Sequence, residues 1–303
     1  MPLPADEKLI ALSDQILQQF DTIFGLNPGF RPAHAKGIML AGAFTPSAEA
    51  ATLTRAPHIV RESTPVTVRF SDSTGIPLVP DNDQNANPRG FAIRFNLAEH
   101  VHTDIVSHST DGFPTRTGQE FLELLTALAT SDPKNLAGTP LEAFLGSHPK
   151  ALAFVQAPKP APSSFARESY FGVTAMKFTN KDGVSRFGRY RIVPEAGNDH
   201  LDDAAAAAKG PDYLMTEIVE RVGRVRSSSR SWCRSRTMAM WSMMRRFIGR
   251  KIARFWNLAH SRCLLLLPTR RVSRSRSSSI RFRGLMELSL RTILCWSCGR
   301  RFI

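Results

Sequence analysis

The composition of the chain changes abruptly near residue 223, and this break limits which residues can build a folded domain. All four Trp and all four Cys lie within residues 223–303, together with 20 of the 40 Lys and Arg residues. That segment contains a single acidic residue, Glu287, whereas residues 1–222 contain 20 basic and 25 acidic residues. The formal charges are therefore 20 − 25 = −5 and 20 − 1 = +19, which sum to +14. Fold and function must come chiefly from residues 1–222.

Two interpretations of residues 223–303 remain open from the sequence. Basic, Ser-rich runs such as 226–236 and 270–283 are typical of an arm that binds nucleic acid. Such arms are poor in Trp, Cys and Leu, however, and the apolar stretches here follow neither helical nor strand periodicity. With codons chosen freely, one constant frame shift instead yields alternating strands and Asp-Gly turns. We favour a frame shift after about residue 223 and expect an irregular, poorly ordered tail; nucleic-acid binding is the alternative function.

Several classes of protein are excluded by what the sequence lacks. Residues 1–222 contain no Cys, so disulfides and thiol chemistry are excluded there. No run of about 18 apolar residues occurs, so no membrane-spanning helix is expected. The first eight residues carry two acids and no apolar signal core, which predicts a cytoplasmic location. Neither a G-x-S-x-G elbow nor a P-loop nor a G-x-G-x-x-G motif is present.

Hydrophobic periodicity predicts an α+β fold around an antiparallel sheet or barrel. An amphipathic helix is predicted over residues 5–24, and capping boxes at Thr117 and Thr139 each open an apolar helical segment. Alternation and β-branched content predict strands, and helical segments close the domain. The predicted strands are 64–71, 90–97, 103–109, 172–179 and 185–193, and the closing helical segments are 203–209 and 213–222. Because strands precede and follow the helices, the helices are expected at the periphery.

Histidines are the most conspicuous candidates for chemistry. His34 lies in a Pro- and Gly-containing loop, where a lone His is more often structural than catalytic. His100, His102 and His108 occupy even positions around a predicted strand, so a metal-dependent enzyme is a third, weaker hypothesis. No Cys or patterned carboxylate completes such a set, and no metal ligand is assigned.

Five segments occur in an order that identifies a family. They are Arg31-x-x-His34-Ala-Lys-Gly37, Val68-Arg69-Phe70-Ser71, Asn87-Pro-Arg-Gly-Phe-Ala-Ile-Arg-Phe95, Asp104-Ile-Val106 and Phe113-x-x-Arg116 followed by Phe121. In this order they resemble the haem catalases, and residues 25–200 are most similar to the small catalase-related peroxidases. The resemblance implies that residues 1–222 form a haem-binding domain with an antiparallel β-barrel, incomplete in this chain, and peripheral helices. It also implies an enzyme that reduces hydrogen peroxide.

The resemblance implies roles for particular residues of this sequence. His34 would be the distal acid/base that takes a proton from peroxide and returns it to the departing oxygen. Ser71 would hydrogen-bond its imidazole, and His108 would be the third catalytic residue. The residues implied to bind the cofactor, haem b with its iron, are Arg31, Arg69, Phe113 and Phe121. The two arginines would pair with haem propionates, and the two phenylalanines would line the distal pocket.

Two departures from the family pattern change the expectation for this chain. Catalases place an Asn amide beside the distal His to orient peroxide, and a gapless match puts His108 there. This favours peroxidase action with an organic electron donor over catalase turnover. The proximal haem ligand of catalases is Tyr, which lies in an Arg-x-x-x-Tyr helix near the C-terminus of the family's chains, and Tyr170, Tyr190 and Tyr213 are not in that context. The sequence therefore predicts that this chain binds haem weakly or not at all and turns over peroxide poorly.

Overall fold

An antiparallel sheet forms the centre of the computed structural model, which describes residues 5–231 and 241–245. The strands are β1 Gly37–Phe44, β2 Thr64–Ser71, β3 Gly90–Ala98, β4 Val101–His108, β5 Tyr170–Phe171, β6 Met176–Thr179, β7 Ser185–Gly188, β8 Tyr190–Pro194 and β9 Trp241–Arg245. Their order in the main sheet is β1-β2-β3-β4-β5-β8-β9, and β6-β7 form a separate hairpin. The main sheet curls into part of a barrel, which confirms the predicted α+β fold with an incomplete antiparallel barrel.

The helices lie around this sheet. They are α1 Glu7–Phe24, α2 Ala50–Leu53, α3 Gly118–Ala129, α4 Pro140–Ser147, α5 Pro149–Gln156, α6 Asp203–Ala207 and α7 Tyr213–Ser231. The predicted capping box opens α3: Thr117 Oγ1 accepts from the N–H of Glu120 at 3.1 Å, and Glu120 accepts from the N–H of Arg116 at 2.7 Å. Such reciprocal bonds satisfy N–H groups that a helix start leaves unpaired. Among the described helices, none is long and apolar enough to cross a membrane.

Side-chain alternation gives the central strands one apolar face and one mixed face. Phe70 of β2 pairs with Phe91 of β3, and both are fully or almost fully buried in the main core. Leu40, Val66, Val68, Phe95 and Ile105 join them in that core, as do Tyr170 and the α7 residues Leu214 and Ile218. Residues one position away point to the other face because successive side chains alternate along a strand. That second face carries Ser71, Arg69 and His108, and it is the face of interest for function.

Three elements differ from the sequence predictions. Strand β1 was not predicted, because its small and apolar residues show no alternation until β2 supplies their partners. The predicted hairpin over 172–193 is divided, since β6 and β7 pair with each other while β8 pairs with β5 in the main sheet. Helix α7 continues nine residues beyond 222, through a Pro-free run of Gly, Arg, Val and Ser whose low helix propensity gave no sign of it in the sequence.

Part of the basic segment is regular, whereas the sequence predicted an irregular tail. The end of α7 lies beyond residue 222, and β9 pairs antiparallel with β8, from Tyr190 opposite Arg245 to Pro194 opposite Trp241. The proposed division of the chain at residue 222 stays a prediction. The expected poor order of the remaining tail concerns residues outside the described ranges.

Candidate functional site

One lateral row of paired residues crosses the sheet beneath the candidate site. Gly37 pairs with Ser71, Ser71 with Gly90, and Gly90 with His108. Directly opposed residues in antiparallel strands point to the same face of a sheet. Ser71 and His108 therefore stand on either side of the bare backbone of Gly90. The sheet thus assembles residues that are widely separated in the sequence.

His34 covers the gap above Gly90 and is held by three hydrogen bonds. Its N–H donates to the carbonyl of Ser73 at 3.0 Å, and its own carbonyl accepts from Arg69 Nη2 at 2.7 Å. Its ring Nδ1 lies 3.1 Å from Ser71 Oγ. His34 has φ = 53°, in the left-handed region that non-glycine residues seldom occupy. The structure therefore brings together the predicted pair His34 and Ser71 and holds the imidazole from both backbone and side chain.

The close approach of His34 requires glycine at position 90. A methyl group added at Gly90 would lie 2.4 Å from Ser71 Oγ and 2.9 Å from His34 Nδ1, well inside van der Waals contact. A similar restriction applies at Gly37, where an added methyl would lie 2.5 Å from Arg69 Nη2. Both glycines belong to the sequence segments that carry the family resemblance, and the structure gives each a steric reason.

The electrostatics of the site combine a neutral imidazole with a cluster of positive charges. Burial, and next the charge of Arg69, lowers the pKa of His34 to about 3. Burial and then the charge of Arg31 lower the pKa of Arg69 to about 9, and burial and Arg94 lower the pKa of Arg31. At pH 7 the imidazole is therefore neutral and able to accept a proton, while the guanidinium of Arg69 stays charged. The predicted arginines lie together and form a region that suits anionic groups.

A buried ionic network, which sequence reasoning missed, lies directly behind Ser71. Arg89 forms a buried ion pair with Asp72, and Lys36 Nζ lies 2.6 Å from Asp81 and 2.8 Å from Asp212. Burial, partly opposed by Arg89, raises the pKa of Asp72 to about 7. Lys36 and Arg89 both fall inside the family-like segments, which is the only sequence feature that pointed to them. The network ties the loop after β2 to the start of α7.

The two predicted phenylalanines lie at the side of the site and pack between helices. The ring of Phe113 is 5.0 Å from that of Phe121 and 6.3 Å from the imidazole of His108. Phe121 also contacts Phe20 of α1, with ring centroids 6.0 Å apart. Phe113 therefore borders the row of site residues, whereas Phe121 joins it to the α1–α3 cluster.

His108 is placed beside His34 and has one engaged and one unengaged ring nitrogen. Its Nδ1 accepts from the N–H of Thr110 at 3.2 Å. Its Nε2 is buried and has no hydrogen-bond partner among the described residues. Burial lowers the pKa of His108 to about 4, although Asp111 raises it in part. The ring is therefore neutral at pH 7.

The other histidines of the suggested metal set do not join His108. The side chain of His100 is 93% exposed in the β3–β4 turn, and His102 lies six residues from His108 along β4, near Asp104. The described part of the chain contains no group of three or more His, Cys, Asp or Glu residues able to hold a metal ion. The alternating positions of the sequence thus do not produce a metal site here.

The hydroxyls of Tyr170 and Tyr213 are engaged away from the His34 face, and Tyr190 packs against the main core. Tyr170 donates to the carbonyl of Phe165 at 3.0 Å inside the main core, and Tyr213 donates to that of Pro162 at 2.8 Å. Burial raises the pKa of Tyr170, Tyr190 and Tyr213, the last to about 12. Forming a phenolate at any of them is therefore unfavourable.

Comparison with known proteins agrees with this geometry. A family model described as Catalase matches residues 27–235. The chain belongs to the catalase family. The match includes every residue of the lateral row and His34.

Two relatives are named catalase-related peroxidase. The one from Mycolicibacterium paratuberculosis is 32% identical over 214 residues, and the one from Synechococcus elongatus is 34% identical over 214 residues. Each alignment covers 69% of this catalase-family chain, but only 66% and 62% of the respective relatives. The chain thus matches less than two thirds of the length of these relatives.

Solved catalase structures show the same fold. A fungal catalase superposes with a TM-score of 0.62 over 100% of this chain and 67% of its own, at 15% identity. A bacterial catalase gives a TM-score of 0.58 over 81% of this chain and 45% of its own, at 21% identity. These structures support the catalase fold and leave the chemistry to be argued from the site.

Proposed function

We propose that this chain is a haem-dependent, catalase-like peroxidase whose distal acid/base is His34. The observation that carries this proposal is the neutral imidazole of His34, held over Gly90 by Ser71 and by the backbone beside a cluster of arginines. A neutral imidazole whose Nδ1 is held by a hydroxyl is equipped to take a proton and give it back. The names of the two relatives support peroxide as the oxidant.

The chemistry of the residues follows from their placement. Bound haem would supply the iron at which the peroxide O–O bond is broken. His34 would accept a proton from hydrogen peroxide and return it to the departing oxygen, which leaves as water. Ser71 would keep the imidazole oriented through its Nδ1 atom. In catalytic and metal-binding histidines, a hydrogen bond to one ring nitrogen likewise sets the state of the other. Electrons would come from an organic donor, which fits a pocket without the amide that catalases use.

The arginines fit the carboxylate end of a haem. The charge of Arg31 lowers the pKa of Arg69, and Arg69 lies on the same side of the sheet as Ser71. Guanidinium groups bind carboxylates with two parallel hydrogen bonds, and such charge-assisted pairs are among the strongest in proteins. We propose Arg31 and Arg69 as the propionate-binding residues, with Phe113 against the ring and Phe121 supporting it.

The described residues fit the proximal face of a haem, where the axial tyrosine would bind, less well than the distal face. All three tyrosines of the chain lie within the described residues, and none faces the site with a free, easily ionised hydroxyl. We therefore propose that the chain holds haem from the distal side alone, weakly, and turns over peroxide poorly. The missing ligand is consistent with a frame shift in the C-terminal segment. The family match ends at residue 235, although 303 − 235 = 68 residues follow.

Haem titration of the full-length chain tests this function. Wild type should show a weak, saturable Soret band and slow oxidation of guaiacol by hydrogen peroxide. Replacing His34 with Leu should lower that oxidation rate by about 10² to 10⁴, the usual contribution of acid–base catalysis. His100→Asn, in an exposed turn, is the matched histidine control and should behave as wild type. Equal rates for His34→Leu and wild type would show that His34 is not the acid/base. Tight haem binding by wild type would contradict the proposal that haem is held from the distal side alone.

Nucleic-acid binding is the second candidate, favoured only by the +19 charge of residues 223–303. Binding of a DNA duplex should then weaken steeply with salt, with each phosphate contact adding about −0.9 to the log–log slope. Absence of binding at low salt eliminates this candidate. The nucleotide sequence around the codons of residues 222–226 tests the frame-shift hypothesis directly, since it shows whether a base was gained or lost there.

A further inference from the structure

We infer that His108 is a second distal imidazole, held in the Nε2–H tautomer so that it donates a hydrogen bond to an oxygen of peroxide. This inference rests on the proposed function of the same site. It assigns to a histidine the donor that catalases take from an Asn amide, and it separates the tasks of the two imidazoles. His34 moves the proton, whereas His108 offers a fixed N–H.

Strand register places His108 at the correct side of the site. Ser71, Gly90 and His108 are consecutive members of one lateral row and share one face of the sheet. Two strand spacings put the backbones of Ser71 and His108 about 10 Å apart. The imidazole of His34 fills part of that gap above Gly90, with Nδ1 directed to Ser71. His108 therefore stands on the opposite side of Gly90 from Ser71, close enough to His34 that a positive charge on His108 would lower the pKa of His34.

The hydrogen bond from Thr110 decides the tautomer of His108. A backbone N–H is only a donor, so the Nδ1 atom that it contacts at 3.2 Å must carry a lone pair. In a neutral imidazole the single proton then resides on Nε2. Because burial lowers the pKa of His108 to about 4, the neutral form is the one present at pH 7. The ring thus presents one N–H and no positive charge.

The Nε2–H group of His108 needs an acceptor that the described protein does not provide. Nε2 is buried and has no hydrogen-bond partner among those residues. Buried polar groups in native proteins are nearly always paired, and an exception calls for an explanation such as a ligand or a catalytic role. The neighbouring rings of Phe113 and Phe154 supply no acceptor oxygen or nitrogen. A peroxide oxygen bound beside His34 would satisfy this donor.

The partners of the two imidazoles differ in the way that their tasks require. Ser71 can either donate to or accept from Nδ1 of His34, because a hydroxyl rotates and has both a proton and lone pairs. His34 can therefore change its protonation during the reaction without losing this contact. The N–H of Thr110 can only donate, so His108 cannot place its proton on Nδ1 without losing its contact. One ring is free to exchange protons and the other is fixed.

The turn that carries Thr110 is itself anchored at several points. Ser109 N–H donates to the carbonyl of Arg89 at 2.9 Å, and Ser109 Oγ accepts from the N–H of Arg89 at 2.9 Å. Asp111 accepts from Arg189 at 2.5 Å and from Arg191 at 3.1 Å. These contacts hold the backbone on both sides of Thr110, so its N–H is directed at His108 before any ligand arrives.

Nuclear magnetic resonance tests the tautomer without haem or turnover. In the full-length chain labelled with 15N-histidine, the long-range 1H–15N pattern at pH 7 should show His108 protonated at Nε2 and bare at Nδ1. The His108→Gln variant identifies the signals of that ring by their loss. A pattern with the proton on Nδ1, or with both nitrogens protonated, overturns the inference.

Reaction with hydrogen peroxide tests the donor itself. At haem concentrations that saturate each variant, the first spectral change on mixing with peroxide should slow by about 10² to 10³ in His108→Leu, as on removal of other fixed donors. His108→Asn restores an N–H donor and should recover most of the rate, and His100→Asn should match wild type. A normal rate in His108→Leu, with a slow His34→Leu, overturns the inference and leaves the proposed function standing. A normal rate in His34→Leu, or no reaction in wild type, overturns the proposed function.

Discussion

Asp81 receives a hydrogen bond from the backbone N–H of Leu214, 2.7 Å away, although the two residues are 133 positions apart in the sequence. The same carboxylate lies 2.6 Å from Lys36 Nζ, which also contacts Asp212 just before α7. A buried negative charge at a helix N-terminus satisfies unpaired N–H groups and interacts favourably with the helix dipole. The start of α7 is thereby joined to the loop that follows Ser71.

Replacing Asp81 with Ala should lower the free energy of unfolding by about 3 kcal/mol. The variant removes a helix cap and leaves the buried ammonium of Lys36 with a weaker set of partners. Urea denaturation of the full-length chain, followed by far-UV circular dichroism, measures the loss. Glu99→Ala, at a side chain that is 91% exposed, is the control and should change stability by less than about 0.5 kcal/mol. A loss below about 1 kcal/mol for Asp81→Ala would show that this carboxylate does not anchor α7.

Gly90→Ala should disturb the site far more than the fold. The added methyl would meet Ser71 Oγ at 2.4 Å and His34 Nδ1 at 2.9 Å, so the imidazole must move. A displacement of about 1 Å at a reacting group costs on the order of 10²-fold in rate, and we expect that loss in the haem-saturated reaction with peroxide. Gly112→Ala is the matched control, because nothing lies within 4 Å of a methyl added there. Similar rates for the two alanine variants would contradict the assigned contact between His34 and Gly90.

Local sequence rules predicted the parts of the molecule that are held by local contacts. Thr117 and Thr139 were identified as helix caps because their partners lie three residues away. Strand β1 was not predicted because its sequence of small and apolar residues shows no alternation. It forms a strand through its pairing with β2. The position of His108 followed from resemblance, but its tautomer depends on the backbone N–H of Thr110, which no side-chain pattern reveals. Contacts such as Asp81 with Leu214 depend on the complete fold and have no sequence signature.

His58 is a buried histidine without a hydrogen-bond partner, and its replacement should stabilise the chain. Both ring nitrogens lack partners among the described residues, and the ring is stacked on Phe95 at 4.1 Å. An unsatisfied buried polar group costs about 1–3 kcal/mol. His58→Phe keeps a ring in the same apolar place, next to Phe44, and should raise the free energy of unfolding by about 1 kcal/mol at pH 8. Destabilisation at this pH would indicate that overpacking by the larger phenyl ring costs more than burying two imidazole nitrogens without hydrogen bonds.

The advantage of His58→Phe should increase as the pH falls. Burial lowers the pKa of His58 to about 4 in the folded chain, against about 6.5 when unfolded. Between these values the unfolded chain binds a proton that the folded chain does not, so wild type loses stability as the pH decreases from 6.5 to 4. Phenylalanine removes that loss, which amounts to about 3 kcal/mol at pH 4. Because other groups titrate in both proteins, the difference between the two unfolding curves isolates His58, and a constant difference would contradict its low pKa.

Substitution of the tyrosines should leave haem binding unchanged, which tests whether any of them acts as the iron ligand. Tyr170→Phe and Tyr213→Phe each remove one hydrogen bond to a backbone carbonyl and should cost about 1 kcal/mol of stability. Since these hydroxyls are engaged, and Tyr190 is also disfavoured as a phenolate by burial, the Soret titration of each Phe variant should superpose on that of wild type. His34→Leu provides the contrast, because it should slow the reaction with peroxide while all three tyrosines stay in place. Loss of the Soret band in any one tyrosine variant would identify that residue as the axial ligand and restore a complete haem site to this chain.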